Sequence, residues 1–278
     1  MPSPLATINE LGCVATRQQL LARGYSGFDL TAAVRRREIR RVRRGWYASP
    51  SASSAQTSAV RVGGRLSHMS AARHYGVWPG FDERLHLTVT QGAAKLRPVS
   101  QPVVVHWVAR GRQDRTSERT WIVSLEDCLR GVVATADRET AIACLETAIT
   151  KFRLSPSVIQ SLFRERPARE RAIAAQCRRG SESGPESIVA QRLRRMHLAV
   201  RQQVQIAGVG RVDMVVGDRL VIEVDGRAYH SDAAAFERDR RRDALLVARG
   251  YIVLRFSYRQ VMFAWKFVRR CILAALRN

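Results

Sequence analysis

The stretch Gly210-Arg-Val-Asp-Met-Val-Val-Gly-Asp-Arg-Leu-Val-Ile-Glu-Val-Asp-Gly226 contains two apolar, strand-like runs separated by a glycine-containing turn. Acidic residues stand in both runs, Asp213 in the first and Glu223 and Asp225 in the second, where a half-buried strand usually holds Val or Ile. Burying carboxylates close together is costly unless a positive charge neutralises them. Because hard oxygen ligands suit Mg²⁺ or Mn²⁺, the stretch predicts a metal site carried by two strands.

The length of the turn decides whether these carboxylates can meet. Side chains alternate between the two faces of a strand, so a shift of one residue moves a whole set to the other face. If Val216 pairs with Leu220 across a three-residue loop, Asp213 lies opposite Glu223, and Asp225 shares their face. A two-residue loop would place the first two carboxylates on opposite faces. The metal hypothesis therefore requires an odd-length connection or a bulge.

The rest of the C-terminal hundred residues predicts helix, three strands, helix, strand and helix. Pro lies just inside the start of the first helix, and Gly ends the second. The predicted elements are a helix opened by Ser183-Gly-Pro-Glu186, a strand near 204–206, the two strands above, a helix over 232–249, a strand over 251–256 and an amphipathic helix over 261–276.

This order, with Glu186 on the first helix, Asp213 on the second strand and Glu223-x-Asp225 on the third, resembles the PD-(D/E)XK nuclease superfamily. The run Glu-Val-Asp-Gly-Arg-Ala-Tyr-His, ending at His230, resembles more narrowly the endonuclease-like domains related to very-short-patch-repair endonucleases. The resemblance implies a restriction-endonuclease-like αβββαβα core that cleaves double-stranded DNA with Mg²⁺ or Mn²⁺. It implies metal ligands at Asp213 and Glu223. Catalytic roles are implied for Glu186, Asp213, Glu223, Asp225 and His230.

One position departs from the superfamily pattern, which usually ends in Lys where this chain has Asp225. The departure removes the cation that would orient the attacking water or stabilise developing charge. His230, Arg255 or an arginine of the 232–249 helix could substitute for it. A second function therefore stays open, that of a non-catalytic DNA-binding regulator with a degenerate nuclease fold.

The candidate residues also have structural interpretations. Glu186 could complete a capping box with Ser183. Asp213 and Glu223 could be exposed on the outer face of an edge hairpin, where charges discourage aggregation. Asp225 and the following Gly are an ordinary turn pair. A lone histidine is more often structural, and the Arg and Asp residues over 238–243 suit a solvated helix face with ion pairs.

Charge favours a polyanionic partner. The 47 Lys and Arg residues outnumber 24 Asp and Glu, and the net charge is +23. The large share of arginine among the basic residues could reflect a GC-rich genome. The net positive charge still favours a nucleic-acid partner, because binding to phosphates releases counterions. A membrane partner is disfavoured because no long apolar segment, signal peptide or lipidation motif is found. Five scattered cysteines lack zinc-ligand spacing, and the chain is expected to be cytoplasmic and nucleoid-associated.

Residues 1–50 predict a winged helix-turn-helix of three helices and a hairpin. Thr16 and Ser26 are helix-capping signals, and the hairpin over 39–48 turns near Gly45. Its Arg-Arg-Gly-Trp-Tyr-Ala ending resembles the winged helix of AbiEi-type antitoxins. DNA contacts are expected from the third helix and the wing, although such modules also dock proteins. The predicted DNA-binding residues are Arg35, Arg36, Arg37, Arg40, Arg41, Arg43 and Arg44, together with Arg255 of the C-terminal domain.

The predicted fold class is a multidomain α+β and α/β protein. Residues 51–64, rich in Ser and Ala, are expected to be a linker, and 65–165 a mixed α/β middle domain that resembles AbiEi-type proteins. The endonuclease-like domain is expected over 180–278, after a charged linking helix over 164–179. Four histidines of the middle domain share no metal-ligand spacing and are interpreted as structural, namely His68, His74, His86 and His106. DNA is the expected partner, in defence or repair, with an unknown toxin or repair partner possible.

Overall fold

The chain divides into two units, Met1–Thr135 and Ala136–Asn278. In the described part of the chain, no helix is both long and apolar enough to cross a bilayer. The computed structural model describes residues 2–93, 96–109, 118–225 and 233–277.

The first fifty residues form three helices and a three-stranded antiparallel sheet, which has one strand more than the predicted hairpin. Thr16 and Ser26 each complete a capping box, with Gln19 and Asp29 respectively. Apolar residues from all three helices, among them Ile8, Leu20 and Leu30, form one buried core. The strand order is β1-β3-β2. The elements are α1 (Pro4–Glu10), β1 (Val14–Thr16), α2 (Arg17–Ala22), α3 (Gly27–Arg35), β2 (Arg40–Arg43) and β3 (Trp46–Ala48).

The linker predicted at 51–64 is wrong, because a helix, α4 (Ser54–Val62), occupies most of it. Ser53 and Gln56 form its capping box, and Gln56 Nε2 donates to the carbonyl oxygen of Gly12 at 2.7 Å. Ala59, Val60 and Val62 are buried. The small Ser and Ala side chains that suggested a flexible segment instead allow close packing of this helix.

The remainder of the first unit is a second small α/β layer. Its strands have the order β4-β5-β6, and β5 and β6 are parallel. The last helix of this layer begins at Leu125, and before it Ile122 forms an isolated bridge with Leu66. The elements are β4 (Arg65–Leu66), α5 (His68–His74), β5 (Leu85–Thr90), β6 (Val103–Val108) and α6 (Leu125–Thr135).

The second unit begins with three helices, α7 (Arg138–Lys151), α8 (Pro156–Leu162) and α9 (Ala168–Gln176). The boundary between the units therefore falls inside the segment predicted as the middle domain, 65–165. The charged helix predicted over 164–179 is shorter, because Pro167 stands at its start and Cys177 adopts extended backbone at its end.

The last part of the second unit has the predicted order of elements, αβββαβα, with the final helix in two pieces. Ala264 leaves helical geometry, with φ −129°, and separates them. The four strands have the order β10-β9-β8-β7, and only β9 and β10 are parallel to each other. The elements are α10 (Gly184–Arg195), β7 (Val200–Ile206), β8 (Gly210–Val216), β9 (Leu220–Asp225), α11 (Ala233–Ala248), β10 (Ile252–Ser257), α12 (Tyr258–Phe263) and α13 (Trp265–Ala275).

One face of this sheet is covered by α11. Val215, Val221 and Val253, from three neighbouring strands, pack in one cluster with Leu246 of α11. Side chains two residues away along each strand share that face. Asp213, Glu223 and Arg255 stand in this relation to the three valines, so the predicted acidic residues belong to the α11 face.

Candidate active site

The connection between β8 and β9 has the length that the metal hypothesis requires. Val216 pairs with Leu220 and Met214 with Ile222, across a loop of three residues in which Gly217 adopts φ +60°. Continued by one residue, this register places Asp213 opposite Glu223. Both strands have neighbours on each side, and Glu223 is only 8% exposed. The alternative of an exposed edge hairpin is therefore wrong.

Asp213 is half-buried at the point where the β8–β9 ladder ends. Its Oδ2 accepts a hydrogen bond of 2.9 Å from the backbone N–H of Val224. Burial raises the pKa of the Asp213 carboxyl above its usual range, the Val224 N–H opposes that shift, and the charge of Glu223 adds to it. The strand pairing thus holds a carboxylate where its charge is poorly solvated and repelled by a neighbour.

Glu223 is held by two arginines from different elements. Arg255 Nε donates to Oε2 at 2.8 Å, and Arg242 Nη2 lies 2.8 Å from Oε1. Arg255 is the direct partner of Glu223 in the parallel β9–β10 ladder, and its Nη2 donates to Asp243 Oδ1 at 2.7 Å. Arg242 comes from α11. Two cationic groups therefore converge on one buried carboxylate.

Glu186, at the start of α10, is also buried. Its backbone N–H donates to Ser183 Oγ at 3.3 Å, but its own Oε2 accepts from Glu182 N–H at 3.0 Å and from Gln203 Nε2 at 3.2 Å. Only half of the predicted capping box is therefore formed. Burial raises the pKa of the Glu186 carboxyl, Ser183 opposes the shift, and the charge of Asp213 adds to it. Glu186 and Asp213 are electrostatically linked.

Gln203 was missed in the sequence. The β7–β8 register, Gln202 with Met214 and Val204 with Val212, places it opposite Asp213. It has φ +50°, a left-handed conformation that costs a side-chain-bearing residue on the order of 1–3 kcal/mol and is concentrated at functional sites. The available signal was a polar pair, Gln202-Gln203, inside an otherwise strand-like run.

The remaining acidic candidate, Asp225, is half-buried at the end of β9, opposite Ser257. Alternation along the strand puts it on the face of Glu223. His230 lies outside the described residues, so its role stays a prediction. Arg238, Arg240 and Arg241 are exposed on α11, as a solvated helix face requires, whereas Arg242 turns towards Glu223.

The arginines predicted to bind DNA fall into two groups. Those of α3 and the wing are exposed except Arg43, which is half-buried and lies 5.9 Å from the ring centroid of Trp46. Burial, followed by the charge of Arg97, lowers the pKa of Arg43. Arg36 pairs with Glu38 at 2.8 Å. Arg255, in contrast, is occupied by Glu223 and Asp243. The exposed residues are Arg35, Arg36, Arg37, Arg40, Arg41 and Arg44.

Three of the four histidines of the first unit cluster. The rings of His68 and His106 stack with centroids 3.4 Å apart, and His86 Nδ1 lies 3.0 Å from His106 Nε2. Burial, and then the neighbouring imidazoles, lower the pKa of His68 to about 3 and that of His106 to about 4. Neutral, packed imidazoles agree with the structural interpretation. The clustering was not visible in the sequence, because it depends on the parallel pairing of β5 and β6 and on the packing of α5, which carries His68.

The donor chemistry of Asp213 and Glu223 fits a hard divalent cation. Within the described ranges, no group of three or more His, Cys, Asp or Glu side chains is arranged to hold a metal ion. Mg²⁺, however, keeps several waters and is usually bound by one or two carboxylates plus substrate phosphates. Two facing carboxylates therefore suffice, provided that Glu223 is released from at least one arginine.

The part of the chain that carries this geometry is similar to a known family. Residues 186–276 match the REase_MTES_1575 family model. This restriction-endonuclease-like match covers about a third of the chain and identifies a nuclease-like domain there. The predicted resemblance is confirmed at that level, while its narrower parts, to very-short-patch-repair endonucleases and to AbiEi-type antitoxins, stay predictions. A comparison with curated proteins finds no match.

Two solved structures show weaker likenesses. The catalytic domain of the homing endonuclease I-Bth0305I is 25% identical over 31% of this chain and 88% of that chain, with a TM-score of 0.28. The RV2827C protein from Mycobacterium tuberculosis is 17% identical over 62% of this chain and 73% of that chain, with a TM-score of 0.29. At these scores neither likeness carries an argument about this protein.

Proposed function

We propose that the protein is a Mg²⁺-dependent endonuclease that hydrolyses phosphodiester bonds in double-stranded DNA. The nuclease-like match over 186–276 supports the reaction class. The facing Asp213 and Glu223 supply the ligand chemistry that such a reaction uses, and the net charge of +23 favours a polyanionic substrate.

The observation that carries the proposal is the convergence of the Asp213 and Glu223 carboxylates from neighbouring strands, and Arg242 and Arg255 supply cations beside them. The superfamily pattern places a Lys where this chain has Asp225, so the cation expected there must come from elsewhere. Two guanidinium groups lie within 3 Å of the carboxylate two residues before that position. Arg242 Nε is buried and has no hydrogen-bond partner among the described residues. An unused buried donor is costly unless another acceptor, such as a phosphate oxygen, reaches it.

In the proposed reaction, Asp213 and Glu223 would hold the cation, which when bound would act as a Lewis acid towards the phosphate. Glu186 has a raised pKa and is therefore suited to accept the proton of the attacking water. Gln203 orients Glu186 through their hydrogen bond. Arg242 and Arg255, on leaving Glu223, stabilise negative charge that develops on the phosphate oxygens as the bridging P–O bond breaks. Asp225 lies on the same face and helps to position the water.

The N-terminal helices and wing are proposed to hold the enzyme on duplex DNA. Six exposed arginines on α3, on the wing and between them give this region an excess of positive charge. Contacts of this kind with phosphates fix position and add affinity without selecting sequence.

A second function, an inactive regulator, is favoured by a specific observation. Both oxygens of Glu223 are occupied by arginines, so one of the two proposed metal ligands is already neutralised. If the ion pairs of Glu223 with the two arginines never open, Glu223 stabilises the fold and holds no metal ion. The domain would then bind DNA without cutting it. The two functions differ in whether the purified protein cuts DNA.

The experiment is a plasmid-nicking assay with Mg²⁺ or Mn²⁺, on matched and mismatched duplexes. We expect the wild type to cut, and Asp213→Asn to lose activity by a factor of about 10² to 10³ while binding DNA normally. Asp218→Asn, in the exposed loop of the same hairpin, is the matched control and should cut like the wild type. Failure of the wild type to cut any duplex, with tight DNA binding retained, would establish the regulator instead.

A further inference from the structure

The exposed face of α3 combines apolar and cationic side chains in one stripe. Phe28 is 80% exposed, and Thr31, Ala32 and Arg35 follow at the i+3, i+4 and i+7 spacings that share a helix face. The opposite face of the helix holds the buried Leu30 and Ala33. The stripe is therefore not needed for the core of the first unit.

The hydroxyl group of Thr31, in this stripe, points towards the backbone of its own helix. Thr31 Oγ1 donates to the carbonyl oxygen of Gly27 at 2.8 Å, which satisfies the hydroxyl within the helix. Its methyl group is then available to a partner. Phe28, Thr31 and Ala32, with Arg35 and Arg36, line a shallow depression of about 490 Å³. The surface thus offers apolar carbon flanked by guanidinium groups.

That combination matches the major-groove edge of DNA rather than an apolar partner. Thymine is the base that presents a methyl group there, and Phe, Ala and the Thr methyl are its usual contacts. Arg pairs with the two acceptors of guanine in the same groove. Exposed arginines of the wing, Arg40, Arg41 and Arg44, add charge complementarity to the backbone. An uncharged apolar partner would leave Arg35 and Arg36, which line the same depression as Phe28, without complementary charge.

We propose that Phe28 and Thr31 recognise thymine methyl groups in the major groove, and that Arg35 reads a neighbouring guanine. The proposal rests on the DNA-binding role proposed for residues 1–50. The proposal adds to that role the kind of DNA sequence that α3 would select, namely one in which thymine lies next to guanine. Because the contacts lie on a helix face with a fixed backbone, they discriminate between bases rather than only adding affinity.

The test uses the full-length protein in EDTA, so that no DNA is cut. Binding sites are first selected from a random duplex library, and each selected thymine is then replaced by uracil, which removes only the methyl group. We expect selected sites to contain thymine, and each critical replacement to weaken binding by the wild type about fourfold, as for loss of one buried methyl group. Phe28→Ala should bind the thymine and uracil duplexes equally at the position that Phe28 contacts, and should keep the discrimination at the position that Thr31 contacts.

Two substitutions separate the methyl group of Thr31 from its hydroxyl. Thr31→Val keeps the methyl group and should still discriminate thymine from uracil. Thr31→Ser keeps the hydroxyl but lacks the methyl group, and should lose this discrimination at one position of the site. Selected sites without thymine, or equal binding of uracil duplexes by the wild type, would overturn the proposal while salt-dependent DNA binding persists. A Phe28→Ala variant with unchanged affinity and selectivity would do the same and would favour a protein-docking role. Absence of all DNA binding would overturn both this proposal and the DNA-binding role beneath it.

Discussion

The Met1–Thr135 unit buries a cluster of imidazoles, whereas the Ala136–Asn278 unit buries a row of carboxylates. His68 and His106 have pKa values lowered to about 3 and about 4, so they are neutral at pH 7 and stack without a counter-ion. Asp213 and Glu186 have raised pKa values and repel each other. Neutral groups can be buried by packing alone, but a row of carboxylates needs cations, and here two arginines contact Glu223 directly.

This difference separates a structural cluster from a candidate active site. The imidazoles stack on one another with lowered basicity, and their other contacts include Ser67 Oγ, 3.0 Å from His68 Nδ1, and Asp82 Oδ2, 3.0 Å from His86 Nε2. The carboxylates keep unfavourable electrostatics that packing could have removed, and such residues are concentrated at functional sites. Opposite pKa shifts also give the two units opposite responses to pH, which allows each to be tested separately.

The largest effect on stability is expected from Arg255→Ala. This change removes the guanidinium group that Glu223 and Asp243 share. We expect it to lower the free energy of unfolding by about 3 kcal/mol, the lower end of the usual range for loss of one member of a buried ion pair. The lower end applies because the Arg255 side chain is 25% exposed. Urea unfolding gives the free energy, and hydrogen exchange should show the loss in β9 and β10. Arg259→Ala, an exposed neighbour on α12, is the control, and equal losses in the two variants would count against the paired arrangement.

Acidification should destabilise the first unit next most strongly. The folded-state pKa of His68 is lowered, so its contribution to stability is present above pH 6.5 and is lost as the pH falls towards about 3. The lowered pKa of His68 alone should reduce the free energy of unfolding by about 2 kcal/mol at pH 5, relative to its value above pH 6.5. His68→Asn cannot protonate and tolerates the left-handed backbone at this position, φ +47°, so its stability should change less between pH 7 and pH 5. His197→Asn, exposed in the second unit, serves as the control, and a slope unchanged in His68→Asn would contradict the neutral stack.

Asp213 should give stability the opposite dependence on pH, and Asp213→Asn should reveal it. The folded-state pKa of Asp213 is raised, so the wild type gains stability as the pH falls and loses it as the carboxyl ionises. The amide keeps an acceptor for the Val224 N–H but carries no charge. Asp213→Asn should therefore be more stable than the wild type at pH 7, with the gain disappearing near pH 4, close to the pKa of an ordinary aspartate. Thermal unfolding at both pH values measures this difference, and a variant less stable at pH 7 would refute it.

The smallest effect concerns the wing of the first unit. Replacement of Arg40, Arg41 or Arg44 by Ala should lower the slope of log affinity against log salt by about 0.9 for each phosphate that the variant no longer neutralises. The affinity should fall similarly for all sequences, unlike the effect of changes at Phe28. Arg164→Ala, exposed in the second unit and outside the predicted DNA surface, is the comparison. An unchanged slope in all three wing variants would remove these arginines from the DNA interface.

Local pattern reduced the central pair of the candidate site to one condition, the length of a turn. Alternation along β8 and β9 predicts Asp213 opposite Glu223 only if the turn at Gly217 has odd length, and the observed loop has three residues. Arg255 could be proposed as the substitute cation because it stands in the following strand. The helix-capping residues Thr16 and Ser26 were likewise visible, since a cap depends on residues three positions apart.

Residues brought together by distant packing could not be predicted in this way. His86 and His106 meet through the parallel pairing of β5 and β6, His68 joins them from α5, and no spacing in the sequence encodes that arrangement. The selection of Arg242 among several arginines depends on how α11 lies across the sheet. Gln203 depends on a left-handed backbone conformation that its residue type does not favour.

A crystal structure of the wild-type protein soaked with Mn²⁺, with anomalous data, tests the metal site itself. We expect anomalous density about 2 Å from carboxylate oxygens of both Asp213 and Glu223, with at least one arginine displaced from Glu223. Soaked crystals of Asp213→Asn should lack it. Wild-type crystals with Arg242 and Arg255 still paired to Glu223, and no density between residues 213 and 223, would contradict the proposed enzyme and leave a DNA-binding protein with an inactive nuclease-like domain.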